Sequence, residues 1–165
     1  MNIILCGMPG AGKTTVAEAL ALRTGRVLVD TDALIEARHG SISKIFSECG
    51  EAYFRSLEAE LALELAGCEG LVIATGGGFV TRQGNCDALK KSGVIIYLRA
   101  RKDTLQNRLA GDNTRPLLAG NLAEKLGAML KARAPLYEQA ADFTVDTDGL
   151  SQNEIAEKIC SEVKV

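Results

Sequence analysis

Residues 7–14 read GMPGAGKT, set between an apolar run, NIILC (2–6), and a segment with helical spacing, TTVAEALALRT (14–24). The stretch satisfies G-x-x-x-x-G-K-[ST] in the strand–loop–helix setting that this pattern requires. Gly7, Gly10 and Gly12 let the backbone turn so that successive N–H groups converge on an anion. Lys13 adds a positive charge, the start of the next helix adds its dipole, and the Thr14 hydroxyl can ligate magnesium. The expected contact runs over Gly10, Ala11, Gly12, Lys13, Thr14 and Thr15, with ATP and Mg2+ as the ligands. A dinucleotide-binding loop is disfavoured, because G-x-G-x-x-G is absent while a Lys–Thr pair is present. A glycine-rich turn that binds nothing is the plain alternative.

Outward from this loop, strand-like and helix-like segments alternate. Five apolar runs suit buried parallel strands: NIILC (2–6), VLVD (27–30), LVIAT (71–75), VIIYL (94–98) and DFTVD (142–146). Between them, TTVAEALALRT closes on Gly25, and SLEAELALELAG, CDALKKSG and KDTLQNRLAG each end in glycine, a common helix stop. This pattern argues for an α/β fold, an open and mostly parallel sheet with helices on both faces. It breaks at GDNTRPLL (111–118), a polar loop with a proline, before a long helical stretch near residues 122–140.

At 165 residues the chain reads as one compact domain, 1–165, long enough to bury roughly 70% of its unfolded surface. Hydrophobic residues make up 47% and charged residues 24%, a soluble globular balance with no apolar run near the ~20 residues of a membrane span. MNIILCGMPG lacks the basic leader of a signal peptide, so a cytoplasmic location is expected. The five cysteines contain no CxxC pair and suggest neither a disulfide framework nor a zinc site. A net charge of −2 gives no long-range pull toward nucleic acid or membrane, so any anion site must be local. His39, the only histidine, precedes Gly40 at an expected helix end and reads as solvent-facing.

Many proteins with such a phosphate loop hold magnesium's waters with an aspartate ending a second apolar strand. Here LVIAT ends in threonine and three glycines, so the acid must come from elsewhere. Asp30 and Asp32 lie at the carboxyl end of VLVD, where doubly wound sheets place their ligands. One carboxylate could face the metal while the other accepts a hydrogen bond from a hydroxyl awaiting phosphorylation. Either could instead cap the helix that begins ALIEARHG.

The acceptor pocket has its own candidates. In GEAYFRSLE (50–58), Arg55 and Glu58 fall three apart on one helix face, where the acid can orient the guanidinium toward a carboxylate. A surface ion pair is the alternative. TGGG (75–78) offers bare backbone to a small ligand or makes a tight turn. Arg115 could swing over the transferring phosphoryl group, and Arg133, before APLY, could be a second carboxylate ligand.

Taken together, GMPGAGKT, DTD, IFSECGEAYFRSLE, ATGGGFV, Arg115-Pro116-Leu117 and ARAPLY (132–137) resemble shikimate kinases nearly end to end. The resemblance implies a three-layer, nucleoside-monophosphate-kinase type of P-loop fold, with a five-stranded parallel sheet in the order 2-3-1-4-5 and a mobile lid at about 110–119. It implies transfer of the γ-phosphate of ATP to the 3-hydroxyl of shikimate by a monomer, on the way to chorismate and aromatic amino acids. Asp32 would then bind shikimate's hydroxyls and act as base, and Asp30 would meet Mg2+ through water. Arg55 and Arg133 would hold the carboxylate, and Gly76, Gly77 and Gly78 would line the pocket. Arg115 would serve as the lid arginine and Arg108 would lie near adenine. Gln139 departs from the acid the family commonly carries two residues beyond the tyrosine. The competing functions are a related gluconate or nucleotide kinase, or a catalytically silent ATP-binding regulator.

Overall fold

The computed structural model describes residues 1–110 and 121–164. Of the expected lid, only Ala110 falls within them; Arg115 lies outside.

The strands are β1 (Asn2–Cys6), β2 (Val27–Asp30), β3 (Leu71–Ala74), β4 (Gly93–Arg99) and β5 (Phe143–Asp146). They form one parallel sheet in the order β2-β3-β1-β4-β5. The helices are α1 (Lys13–Thr24), α2 (Thr31–His39), α3 (Ile42–Ala66), α4 (Gln83–Lys90), α5 (Lys102–Leu109), α6 (Leu122–Ala140) and α7 (Gln152–Val163). This is the expected three-layer P-loop kinase architecture. The order reverses around β1, so the loop after β1 emerges at the switch point where such sheets bind ligands.

Burial follows position in the sheet. β1 and β3 are buried at every residue, and each fully buried Ile or Leu there contributes about 1.5–3 kcal/mol. Asn2 is the polar exception: its amide donates to Cys68 O at 2.8 Å and accepts from Leu71 N at 3.0 Å, tying the start of β1 to that of β3. The expectation of five buried strands fails at the edges. β2 runs from exposed to half-buried and β5 buries only Val145, because each has a neighbour on one side.

Helix ends also depart from the glycine rule in places. α1 stops at Gly25, which adopts φ 68°. Gly67 follows α3 but keeps a right-handed φ of −84°. α4 ends at Lys90, with Lys91 after it, and Gly93 belongs to β4 instead. A Cβ on Gly93 would lie 2.4 Å from Asn2 O, so this glycine permits close strand pairing rather than a helix stop. α5 ends at Leu109 with Ala110 as its cap, and the glycine expected to stop it, Gly111, lies outside the described residues. α3 begins earlier than the sequence suggests and is broken at Gly50, whose φ of 83° interrupts the helical path. Of the cysteines, Cys6, Cys86 and Cys160 are buried, while Cys49 and Cys68 are exposed.

Candidate active site

The phosphate loop runs from the end of β1 to Lys13, the first residue of α1. Gly10 and Gly12 adopt φ 81° and 89°, the left-handed backbone that only glycine takes easily. Gly12 is the N-cap of α1 and has no side chain with which to cap it, and the first turn holds no acid. The helix N-terminus is therefore left to an external anion. Lys13, nearly buried, donates from Nζ to Gly7 O and Met8 O, both at 2.9 Å. These carbonyls hold the ammonium over the loop at the position a phosphate oxygen would share. The Thr15 hydroxyl donates to Gly12 O at 3.0 Å, which braces the loop. Cys6, just before the loop, is pushed up to about 12 by burial, partly opposed by Lys13, so it is a neutral packing group.

Asp30 caps α2 with one oxygen and meets Thr14 with the other. Its Oδ1 accepts Asp32 N at 3.0 Å and Ala33 N at 3.1 Å, capping α2. Its Oδ2 accepts the Thr14 hydroxyl at 2.8 Å. Two hard oxygen donors thus adjoin at the mouth of the phosphate loop, the donor chemistry that suits a magnesium ion keeping most of its waters. Among the described residues, no group of three His, Cys, Asp or Glu side chains converges as a metal cage.

The TGGG segment does more than expose backbone. A Cβ on Gly76 would lie 2.3 Å from Asp32 Oδ1, one on Gly77 would lie 3.3 Å from Arg133 Nη1, and one on Gly78 would lie 2.5 Å from Arg55 Nη1. Gly76 and Gly78 thus make room for charged groups from α2 and α3, while Gly77 is flanked first by Pro9, whose Cδ would lie 3.1 Å from that Cβ, and then by Arg133 of α6. Further bonds fix the turn: Gly76 N donates to the buried Thr31 hydroxyl at 2.9 Å, and the Tyr137 hydroxyl donates to Gly77 O. Burial, opposed by nearby Arg133, pushes the Tyr137 phenol well above its ordinary range, so it stays a donor.

Arg55 is only 8% exposed. Its Nη1 donates to Glu58 Oε2 at 2.7 Å and its Nη2 to Glu51 Oε1 at 2.9 Å. Burial works against its charge, but bonding and attraction to Glu58 and then Glu51 outweigh it and shift the guanidinium upward. Glu58 is 1% exposed, and burial raises its carboxyl despite the opposing pull of Arg55, with Asp32 adding to the rise. The pair is thus buried, unlike the surface ion pair considered as its alternative.

A cavity of about 560 Å3 joins these parts. It is lined by Gly10 to Val16, Asp30, Asp32, Thr75, Gly76, Gly77 and Arg108, as the motifs require. Arg108 also donates to Gly10 O at 3.1 Å. Gly78, Arg55 and Arg133 do not line it; they sit around the same turn, beyond Gly76 and Gly77. Leu150, Ser151, Gln152 and Ile155 complete the far wall and were missed in the sequence. The capping box of Ser151 and Glu154 marks the start of α7, but only the fold brings that start into the same cavity as Arg108. His39 is exposed at the end of α2, outside the lining.

A family model described as shikimate kinase matches residues 9–164. The shikimate kinase of Thermodesulfovibrio yellowstonii is 45% identical over 163 residues, covering 98% of this chain and 94% of that protein. That of Dehalococcoides mccartyi strain BAV1 is 41% identical over 159 residues, covering 96% and 90%. Among solved structures, shikimate kinase from Acinetobacter baumannii in complex with shikimate superposes with a TM-score of 0.95 at 39% identity, covering 99% and 92%. A gluconokinase from Sinorhizobium meliloti reaches a TM-score of 0.66 at 18% identity, covering 99% and 91%, a likeness of fold alone.

Proposed function

This chain belongs to the shikimate kinase family, and from that premise we propose how its residues divide the work. The enzyme transfers the γ-phosphate of ATP to the 3-hydroxyl of shikimate, giving ADP and shikimate 3-phosphate. In our reading, amides of the 10–15 loop and Lys13 hold the β- and γ-phosphates, and Arg108 lies by the adenine. Thr14 by its hydroxyl and Asp30 through water would hold Mg2+, which would supply positive charge beside the phosphate oxygens.

Arg55 and Arg133 receive the shikimate carboxylate on the Gly77–Gly78 side of the turn. Asp32, against Gly76, accepts the proton of the 3-hydroxyl as its oxygen attacks the γ-phosphorus. The bond to the β–γ bridging oxygen breaks and its electrons leave with ADP. Arg115 neutralises the transferring group in the same step. We read residues 1–165 as a single monomeric, cytoplasmic domain. Among the described residues, no helix is long and apolar enough to cross a membrane, and the charge balance favours no nucleic acid.

The observation that carries this reading is the packing of Asp32 against Gly76 and of Arg55 against Gly78, with Arg133 near Gly77 between them, beside the phosphate loop. A coupled ADP-release assay with shikimate, quinate, gluconate, nucleoside monophosphates or water as acceptor, with and without Mg2+, tests it. ADP release that depends on shikimate and on Mg2+ is expected. Equal release with gluconate or nucleotides, or release independent of Mg2+, would refute the assignment of roles.

A further inference from the structure

Two elements distant in the chain both line the cavity: α5, through Arg108, and Leu150–Gln152, which opens α7. Asp148 joins them. It sits in a tight turn closed by Leu150 N donating to Thr147 O at 3.3 Å, with Gly149 at φ 74°. From this turn its carboxylate accepts the Thr104 hydroxyl at 2.5 Å and Arg101 N at 3.0 and 3.3 Å. The Arg101 guanidinium approaches at 3.6 Å. Arg101 is the N-cap of α5 and supplies no acceptor of its own, so a carboxylate from another loop provides the negative charge that this helix start favours. The bond from Thr104, followed by that from Arg101 N, holds the Asp148 carboxyl below the usual range.

Arg108 lies one helical turn beyond Thr104. At this end α5 meets the phosphate loop directly: Arg108 bonds Gly10 O, and a Cβ on Gly10 would lie 2.9 Å from Leu109 Cγ. α5 is thus held at its start by Asp148 and at its end by the loop. Asp148 does not line the cavity and acts only through what it holds.

We propose that Asp148 is a positioning residue for the base end of the nucleotide, setting the separation between Arg108 and Leu150–Gln152. This rests on the reading that ATP fills the cavity with adenine at Arg108. In that reading the phosphates lie over the 10–15 loop, which has braces of its own in Lys13 and Thr15, so their binding should depend on Asp148 much less than that of the base. The same holds for shikimate, around the 76–78 turn.

The test compares ADP with inorganic tripolyphosphate by titration calorimetry, alongside KM for ATP and shikimate. Wild type should bind ADP more tightly than tripolyphosphate. Asp148→Ala, which removes the bonds from both Thr104 and Arg101 N, should weaken ADP binding and raise KM for ATP roughly tenfold. Its tripolyphosphate affinity and KM for shikimate should move by less than about twofold. Asp148→Asn, which keeps an acceptor oxygen, should recover most of the loss. Asp146→Asn, which removes a similar charge paired with Arg99 on the neighbouring strand, should bind both ligands as wild type does.

Equal losses for ADP and tripolyphosphate, or a parallel rise in KM for shikimate, would reduce Asp148 to a structural cap and overturn the proposal. A wild type with no preference for ADP would instead overturn the placement of adenine, and the proposal with it. Should Asp148→Ala not fold, Thr104→Val removes the 2.5 Å bond alone. A loss of about threefold for ADP only is then expected, and an unchanged ADP affinity counts against the proposal.

Discussion

Gly78→Ala separates the packing account of the TGGG turn from a purely backbone one. The backbone at Gly78 is not left-handed, so alanine is tolerated there as a conformation and the effect is steric. The new methyl would lie 2.5 Å from Arg55 Nη1 and 2.9 Å from Cζ. Ordinary contact needs about 3.5 Å, so the guanidinium must retreat by roughly 1 Å. An exposed arginine could do this freely, but Arg55 is buried between two carboxylates. The retreat stretches the 2.7 Å bond to Glu58 toward or past the limit of a hydrogen bond. A charge-assisted bond of this kind is worth about 1.5–3 kcal/mol, so KM for shikimate should rise roughly 10- to 150-fold. KM for ATP should move less than about twofold, because the phosphate loop is untouched. Gly84→Ala, inside α4 with open space around its Cβ position, is the control and should be neutral or stabilising by up to about 1 kcal/mol. Coupled ADP release with each substrate varied in turn reads both constants. A folded Gly78→Ala enzyme with wild-type KM for shikimate would refute the claim that this glycine exists to seat Arg55.

Lys13→Met should lower turnover by on the order of a hundredfold or more, the scale of losing one transition-state electrostatic partner; near-normal kcat would exclude the phosphate-loop assignment. Asp32→Asn should abolish transfer while ADP still binds by calorimetry, and retained turnover would remove Asp32 as base. Asp30→Asn keeps an oxygen for the α2 cap but offers the metal an amide, so melting temperature should hold while the Mg2+ needed for half-maximal rate rises several-fold; an unchanged Mg2+ titration would move the metal elsewhere. Glu58 has a raised carboxyl, so the folded state takes up its proton more readily than the unfolded chain does. Its contribution to stability is therefore greatest in acid, declines as pH rises from the ordinary glutamate range to the raised folded value, and is constant above. Glu58→Gln should lose that decline when melting temperature is followed across the window, and a curve parallel to wild type would show that another group carries it.

How far the sequence carries depends on whether a feature is local. The phosphate loop was legible because its chemistry lies within eight consecutive residues; the alternation of strand and helix gave the parallel sheet, and its strand order came from the family resemblance alone. The glycines at 76–78 read only as bare backbone. Their function depends on side chains arriving from α2, α3 and α6, and no periodicity records that convergence. The wall at Leu150–Gln152 was invisible for the same reason, since its capping box says where α7 begins and nothing about what faces it. Gly93 misled because glycine marks helix ends and tight strand pairing alike, and only the 2.4 Å approach of Asn2 O decides between them.

Asp30 shows why a choice between capping and metal binding was never forced. A carboxylate has two oxygens whose lone pairs point in different directions, and here each serves a separate neighbour: Oδ1 the amides of Asp32 and Ala33, Oδ2 the hydroxyl of Thr14. The consequence reaches the proposed chemistry. Asp32 is the second residue of α2, and its own backbone N–H hangs on the carboxylate that also meets Thr14. Its side chain meanwhile packs against Gly76, whose N–H is bonded to Thr31 in the same turn. The candidate base is thus tied through one residue to the candidate metal ligand and through another to the acceptor turn. A single strand end sets both distances at once, which is why the two acids must stand one residue apart.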